Sequence, residues 1–481
     1  MVKDLVTDHN LMNPLQKLFV NWSGKEAASI ELLPFSGSYR KYFRMQRHDV
    51  KALGVINHDY KENQAFISFS KHFKQHGLNV PDIYASDLEN DCYLIQDLGD
   101  TTLYSKISQL KPETRFNDET IGFYKKALEI LPKFQIDAGN NIDYTLCFPR
   151  DAFDEQSMQW DLNYFKYYFL KLAKVEFNEQ DLENDFKLLI DFLLKSKRDY
   201  FLYRDFQSRN IMIFNDDLFF IDYQGGRRGA LQYDLMSLLL DGKAAIPGSL
   251  RKEFIQFYHE NISLNYHINI EEFDTYLGAY GLIRIMQAMG AYGFRGFYEK
   301  KSHFLQSIPY AINNLHWLKS NYPLPVQLPA LENILEQICN TESLQFKNHI
   351  PTHLKVTINS FSYKDQIPTD NSGNGGGFVF DCRALPNPGR YDEYMSFTGK
   401  DNKVIKFLEK EEAVHEFLGN TFQIIDQAVN NYISREFTHL MVSFGCTGGQ
   451  HRSVYCAEKL SNHLKEKFNI QLSLNHNMLN K

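Results

Sequence analysis

In the segment FLYRDFQSRNIMIF, Asp205 and Asn210 stand five positions apart as R-D-x-x-x-x-N, and Asp222 follows at the end of the apolar run DLFFIDY. Phosphoryl transfer needs an acid that takes or orients the proton of an attacking hydroxyl. It also needs separate oxygen ligands that hold Mg²⁺ against nucleotide phosphates. Asp205 suits the first task, Asn210 and Asp222 the second. A single D-x-x-x-x-N also fits a solvated turn whose Asp and Asn bond their own backbone. The second acid strengthens the chemical reading, because an aspartate closing an apolar strand must pair, bind metal or sit at a strand mouth.

A second constellation lies near the end of the chain. In FTHLMVSFGCTGGQHRSVYCAEKL an apolar strand runs into Gly445 to Ser453 and then into a helix. Glycines let successive N–H groups turn inward, a following helix adds the positive end of its dipole, and Arg452 can clamp phosphate oxygens. The same residues satisfy C-x-x-G-x-x-R-S, in which Cys446 would serve a phosphatase as a thiolate beneath a phosphoryl group. Anion binding and Cys-dependent catalysis both remain open, beside a ligand-free Gly-rich turn.

These residues need elements to hold them. From Phe35 to Gln96 the pattern predicts a small sheet-plus-helix lobe, with strands at Tyr42 to Arg44, Ala52 to Ile56 and Tyr93 to Gln96. Its helix runs from about Tyr60 to His76, where Ala65, Phe66, Phe69 and Phe73 recur at helical spacing and Gly77 is the stop. Residues 101–200 read as helical and aromatic. Tyr203 to Ile213 and Leu218 to Asp222 read as short strands around a polar loop, and a second helical block spans Leu235 to Leu318. The stretch from Asn321 to Phe346 carries three prolines and a short helix, which sets the expected domains at 1–320 and 351–481 with a linker at 321–350. From His353 the order strand, Gly-rich loop, helix, strand, helix predicts a separate α/β unit.

The chain has 481 residues, 43% apolar and 23% charged, which suits two or three globular domains. A net charge of -7 argues against a broad nucleic-acid surface. Six cysteines without a C-x-x-C pair fit a reducing compartment and no structural zinc. The first residues lack the apolar run of a secretory signal, and no stretch has the length of a membrane span, so a cytoplasmic location away from membranes is expected.

Several ordered motifs from Leu33 to about Leu318 resemble the aminoglycoside-phosphotransferase and choline-kinase branch of the protein-kinase-like fold, and most nearly the anomeric sugar kinases of the AmgK type. They are PFSGSYRKYFR (34–44), GLNVPDIYASD (77–87), LIQDLGD (94–100), YRDFQSRN (203–210), IDYQGG (221–226) and YDLMSLL (233–239). The resemblance implies an α+β bilobal kinase-like fold using ATP and Mg²⁺. Ser36, Gly37, Ser38 and Tyr39 would cover the ATP phosphates, with Arg40 beside them. Gln96, Asp97 and Leu98 would meet the adenine edge through their backbone, and Asp234 would brace the catalytic loop. Glu62 would occupy the place of the kinase ion-pair glutamate, or be an exposed helix-start carboxylate. One departure stands out: Asn57 follows the strand Ala52 to Ile56, where a kinase supplies lysine to the phosphates. Arg40, Lys41 or Arg44 would have to serve instead. The implied acceptor is the anomeric hydroxyl of N-acetylmuramic acid or N-acetylglucosamine, a step in cell-wall sugar recycling. The helix containing Arg284 and Gln287 would be a substrate wall, or these two would be ordinary surface residues.

From about residue 351 the motifs SFSYKDQIP (360–368), DCRALPNPGRYDEYMSFTGKD (381–401) and GCTGGQHRSVY (445–455) resemble the C-terminal domain of the RapZ family. That family is known as a sensor of glucosamine-6-phosphate. The resemblance implies a phosphorylated amino sugar among Asp381, Arg383, Asn387, Cys446, Thr447, Gly448, Gly449, His451, Arg452 and Ser453, and permits oligomerisation through this domain. No G-x-x-x-x-G-K-[ST] segment is present, so the kinase-like region stands where that family has a P-loop domain. The tail NIQLSLNHNMLNK lacks a basic cluster, which argues against RNA binding. A Cys446-dependent phosphatase, a pseudokinase and an RNA-adaptor metabolite sensor are the alternatives.

Overall fold

A computed structural model of the chain describes residues 14–479 except 35–39, 49, 300, 342–343, 345–353, 371, 374–375, 436 and 469. The chain divides into two compact units, residues 1–345 and 346–481.

The first unit begins with an antiparallel sheet in the order β1-β2-β3-β5-β4, formed by Ser29–Leu32, Lys41–Arg47, Val50–Ile56, Ile83–Asp87 and Cys92–Ile95 (β4 and β5 being the last two). Strand alternation sends Phe43, Met45, Ala52 and Leu94 into a small core with Leu15 and Phe19. On the other face Val55, Tyr93 and Ile95 join the main core, together with Phe66, Phe69 and Phe73 of the helix Tyr60–Gln75. Asp59 starts that helix by accepting the Glu62 N–H, and Gly77 at φ +72° follows its end.

Helices Asp118–Pro132, Glu155–Tyr164, Glu179–Leu193, Leu231–Leu239, Gly248–Tyr266, Ile270–Gly293 and Ile308–Asn321 enclose the rest of the main core. Set among them are two small antiparallel pairs, β6 (Tyr200–Leu202) with β9 (Arg227–Gly229) and β7 (Ile211–Phe214) with β8 (Asp217–Phe220). Edge-to-face contacts link Phe73 to Phe134 at 4.9 Å, Phe134 to Tyr203 at 5.5 Å and Tyr203 to Tyr223 at 5.9 Å. This aromatic column ties the sheet's helix to the loops after β6 and β8, and such pairs stabilise beyond their buried area.

Two expected strands are shorter in the structure. Of the run predicted as strand from Tyr203 to Ile213 only Ile211–Ile213 is strand, because Arg204 sits at φ +81° and the residues up to Asn210 form a loop. Likewise β8 ends at Phe220, with Asp222 at φ +70°. Left-handed geometry at non-glycine residues costs energy and persists only where surroundings enforce it.

Part of the segment expected as linker belongs to the first unit. Helix Pro329–Asn340 buries Leu331, Ile334 and Ile338, spaced as one apolar stripe, in the main core. The Leu331 N–H donates to Asp185 Oδ2 at 2.8 Å, filling an otherwise orphaned first-turn donor.

The second unit is a four-stranded parallel sheet in the order β11-β12-β10-β13, built from Lys355–Ser362 (β10), Gly377–Asp381 (β11), His439–Cys446 (β12) and Gln471–His476 (β13). Val356, Ile358, Val442 and Phe444 share a core with Leu460 and Leu464 of the helix Arg452–Lys467 and Ile425 and Val429 of the helix Glu412–Ser434. The sequence pattern ended on a helix; β13 adds a final strand whose residues are mostly only partly buried, which blurred its alternation. Among the described residues no helix is long and apolar enough to cross a membrane.

Replacing Asp185 with Ala should leave the Leu331 N–H buried without a partner. The expected cost is about 1–3 kcal/mol, read by chemical denaturation, with faster amide exchange concentrated in residues 331–340.

Candidate functional site

The loop after β6 is held at three points. Asp234, fully buried in the helix Leu231–Leu239, accepts the Tyr203 N–H at 2.8 Å, the Arg204 N–H at 2.9 Å and Gln135 Nε2 at 3.1 Å. The Arg204 guanidinium forms a two-pronged pair with Asp161 at 2.9 and 2.7 Å. Ser208 donates through its hydroxyl and its N–H to Asp241 Oδ2 at 2.5 and 3.2 Å. Burial pushes the Asp234 carboxyl up to about 7, against three donors that favour its ionised form.

The fixed loop presents Asp205 half-buried and Asn210 buried beside it. Asn210 Nδ2 donates to the Asp205 carbonyl at 2.8 Å and to Asp222 Oδ2 at 3.3 Å. Gln224 Nε2 donates to Asp222 Oδ1 at 2.7 Å. The three residues singled out by spacing therefore meet in space. With its NH₂ engaged, Asn210 keeps its carbonyl oxygen as a hard-cation donor alongside the Asp222 carboxylate.

Facing them, Arg40 Nη2 lies 2.6 Å from Glu62 Oε1, and its Nη1 lies 3.8 Å from Asp222 Oδ1. Glu62 is thus ion-paired, not a free helix-start carboxylate. Asn57 Nδ2 donates to Glu62 Oε2 at 3.0 Å and to Asn63 Oδ1 at 2.9 Å. Arg44 is committed elsewhere, bridging Asp97 at 2.8 and 3.0 Å and Asp100 at 3.0 and 2.9 Å. Those contacts brace the 94–100 segment, and Arg44 is not the phosphate partner considered for it. Gln96 donates its N–H to the Asp82 carbonyl at 2.9 Å, Asp97 is held by Arg44, and Leu98 is buried. Ser36, Gly37, Ser38 and Tyr39 lie outside the described residues. Arg284 is buried, against the surface alternative; its Nε donates to Ser237 and its Nη1 to Gln287. With Gln207 and Asp241 it lines a small cavity beside the loop.

In the second unit, β12 ends on Cys446 and the next helix begins at Arg452. Gly449, at φ +69°, turns its N–H onto Cys446 Sγ at 3.2 Å, and Ser453 Oγ lies 3.2 Å from the same sulfur. Thr447 and Gly448 are exposed at the loop crest, with Ser362 Oγ donating to the Thr447 carbonyl at 2.7 Å. Arg452 differs from the clamp expected of it. It is only 4% exposed, and its Nη1 donates to the Arg383 and Leu385 carbonyls at 2.8 and 2.9 Å, which makes it a strut holding the 381–390 segment to the nest. His451 Nε2 lies 3.1 Å from the Tyr394 carbonyl, and Asn387 Oδ1 accepts the Gly389 N–H at 3.2 Å. Arg383 pairs with Asp381, holding that carboxyl below its usual value, and stacks 4.0 Å over the Tyr363 ring.

Sequence reasoning missed Gln135, Asp161 and Asp241 around the first loop, and Ser362 and Gly399 around the second. Asp161 had a usable signal: an acid within the helical, aromatic run MQWDLNYF demands a partner. Gly399 gave none, because its role is close approach; a Cβ there would come within 2.2 Å of the His451 carbonyl.

A sheet-bearing lobe followed by a helical region thus brings two acids and an amide together at a braced loop. Residues 34–267 match the phosphotransferase enzyme family, and residues 354–480 match the RapZ C-terminal domain. One chain thus carries a region matching the phosphotransferase enzyme family followed by one matching the RapZ C-terminal domain. It is similar to a nucleotide-binding protein of Xylella fastidiosa (strain M12), 33% identical over 177 residues, covering 34% of this chain and 56% of that protein. One of Nitrosomonas eutropha is 41% identical over 117 residues, covering 24% and 38%. The chain thus spans about half or less of the length of these curated relatives. Among solved structures it is similar to choline kinase LicA from Streptococcus pneumoniae, at 14% identity and TM-score 0.43, covering 65% of this chain and 99% of that one. Spectinomycin phosphotransferase APH(9)-Ia, solved with ADP and spectinomycin, gives 11% and 0.43, covering 67% and 98%.

Asp234→Asn should turn one accepting oxygen into a donor facing a backbone N–H, at a cost of about 1–3 kcal/mol. Because the folded carboxyl titrates near 7, above the unfolded value of about 3.9, its stabilising contribution is full below about pH 4 and is lost as pH rises through 7. Denaturation of both proteins across pH 4–8 should show their stability gap narrowing as pH increases.

Proposed function

We propose that the first unit is an ATP- and Mg²⁺-dependent kinase of a sugar hydroxyl, the anomeric OH of N-acetylmuramate or N-acetylglucosamine, and that the second binds a phosphorylated amino sugar. The observation that carries the kinase reading is the pair of Asn210 hydrogen bonds joining the Asp205 backbone to the Asp222 carboxylate. Asp205 takes the proton of the attacking hydroxyl as general base. Asn210 Oδ1 and the Asp222 carboxylate form a hard-oxygen donor set that fits Mg²⁺. When bound, Mg²⁺ offsets negative charge on the phosphates during transfer. The phosphotransferase-family match supports this group-transfer chemistry. The acceptor rests on the likeness to anomeric sugar kinases. Six free cysteines suit a cytoplasmic setting.

For the second unit, the Gly449 turn, the exposed Thr447 and Gly448 crest and the helix N-terminus at Arg452 support anion binding. The Gly449 N–H and the Ser453 hydroxyl, each 3.2 Å from Cys446 Sγ, keep a phosphatase reading testable. Weighing against it, both carbonyl bonds of Arg452 come from Nη1 and hold that end of the guanidinium as a strut.

ATP consumption is to be measured against N-acetylmuramic acid, N-acetylglucosamine, glucosamine, choline and an aminoglycoside. Turnover is expected with an N-acetylated amino sugar and should fall at least about a hundredfold in Asp205→Asn. ATP binding without turnover on any acceptor would make the first unit a pseudokinase. For the second unit, calorimetry should show glucosamine-6-phosphate binding and no binding of glucosamine. Hydrolysis of an aryl phosphate that vanishes in Cys446→Ser would replace binding with catalysis.

A further inference from the structure

A kinase of this fold draws a lysine from its third strand to the nucleotide phosphates and anchors it on a helix glutamate. Here the residue after β3 is Asn57, which carries no charge, so a cation must come from elsewhere. The register of the sheet shows where. β2 and β3 run antiparallel with Lys41 opposite Ile56. One further step along both strands sets Arg40 across from Asn57. Cross-strand neighbours on one face lie close enough for their side chains to share a partner, and these two share Glu62: Arg40 Nη2 meets Oε1 at 2.6 Å and Asn57 Nδ2 meets Oε2 at 3.0 Å.

We propose that Arg40 takes over the work of the strand lysine, the charge having moved to the facing strand, and contacts the nucleotide phosphates while anchored on Glu62. This deepens the kinase reading and rests on it. Three observations carry the inference. Arg40 is only 5% exposed, and a buried cation in a fixed place serves as a preorganised contact. Its guanidinium spans from Glu62 to within 3.8 Å of Asp222 Oδ1, so it reaches the helix anchor and the candidate metal ligand together. Of the two other cations considered, Lys41 and Arg44, Arg44 is engaged by Asp97 and Asp100. An arginine suits the task because its planar fork presents one edge to a carboxylate and another to phosphate, where an ammonium is a single point. Asn57 then fills the vacated position with an uncharged donor that steadies the second oxygen of Glu62.

The test compares ADP with adenosine by calorimetry on the full chain, beside ATP turnover. In Arg40→Ala, ADP affinity should drop about tenfold to a hundredfold, the range for a lost charge-assisted hydrogen bond, while adenosine affinity stays unchanged. Arg40→Lys should retain part of the ADP preference. The double variant Arg40→Ala/Asn57→Lys, which returns the cation to β3, should recover more of it than Arg40→Ala alone. Wild-type ADP affinity in Arg40→Ala, or equal loss of ADP and adenosine, would overturn the assignment. An Arg40-dependent ADP preference in a protein that transfers phosphate to no acceptor would sink the kinase reading and leave the Arg40 assignment standing.

Discussion

Everything in the first unit turns on one buried carboxylate. Asp234 is shielded from solvent and, among the described residues, has no cation against it; it is satisfied by two successive backbone N–H groups and one side-chain amide. Two consecutive N–H groups can meet one carboxylate only if the chain bends sharply, and that bend is the left-handed Arg204. Removing those bonds would release the strained residue, with Asp205, Asn210 and the Asp222 contact following it. Local strain is thus held by burial, as expected of a loop that must keep acidic groups apart and oriented.

The opposite wall of the cleft is set by sheet register. Because Arg40 and Asn57 face each other across β2 and β3 and share Glu62, the position of the cation depends on pairing between two strands and one helix start. The aromatic column from Phe73 through Phe134 to Tyr203 and Tyr223 packs the helix that carries Glu62 against the loop after β6. Charge placement and rigid packing are two sides of one design in this unit.

The second unit solves a different problem with similar means. Its Gly449 turn aims an N–H at the sulfur of Cys446, and Arg452, donating through Nη1 to two carbonyls, fastens the neighbouring segment to the nest.

Much was legible in the chain itself. The spacing of Asp205, Asn210 and Asp222, the glycines around Cys446, the aromatic helix from Tyr60 and the missing strand lysine are all local patterns, and local patterns survive in a string of residues. Periodicity likewise marked the lobe, the helical region and the α/β unit, because burial of one face writes itself into spacing. Pairing across sequence was hidden. That Arg204 meets Asp161 from 43 positions away, that Arg452 is a strut, that Arg44 pairs with Asp97 while Arg40 meets Glu62, and that Gln471–His476 closes the second sheet were decided by tertiary structure. The physical reason is that side-chain chemistry is carried by the residue, whereas its partner is chosen by which distant segments the core brings within about 3 Å.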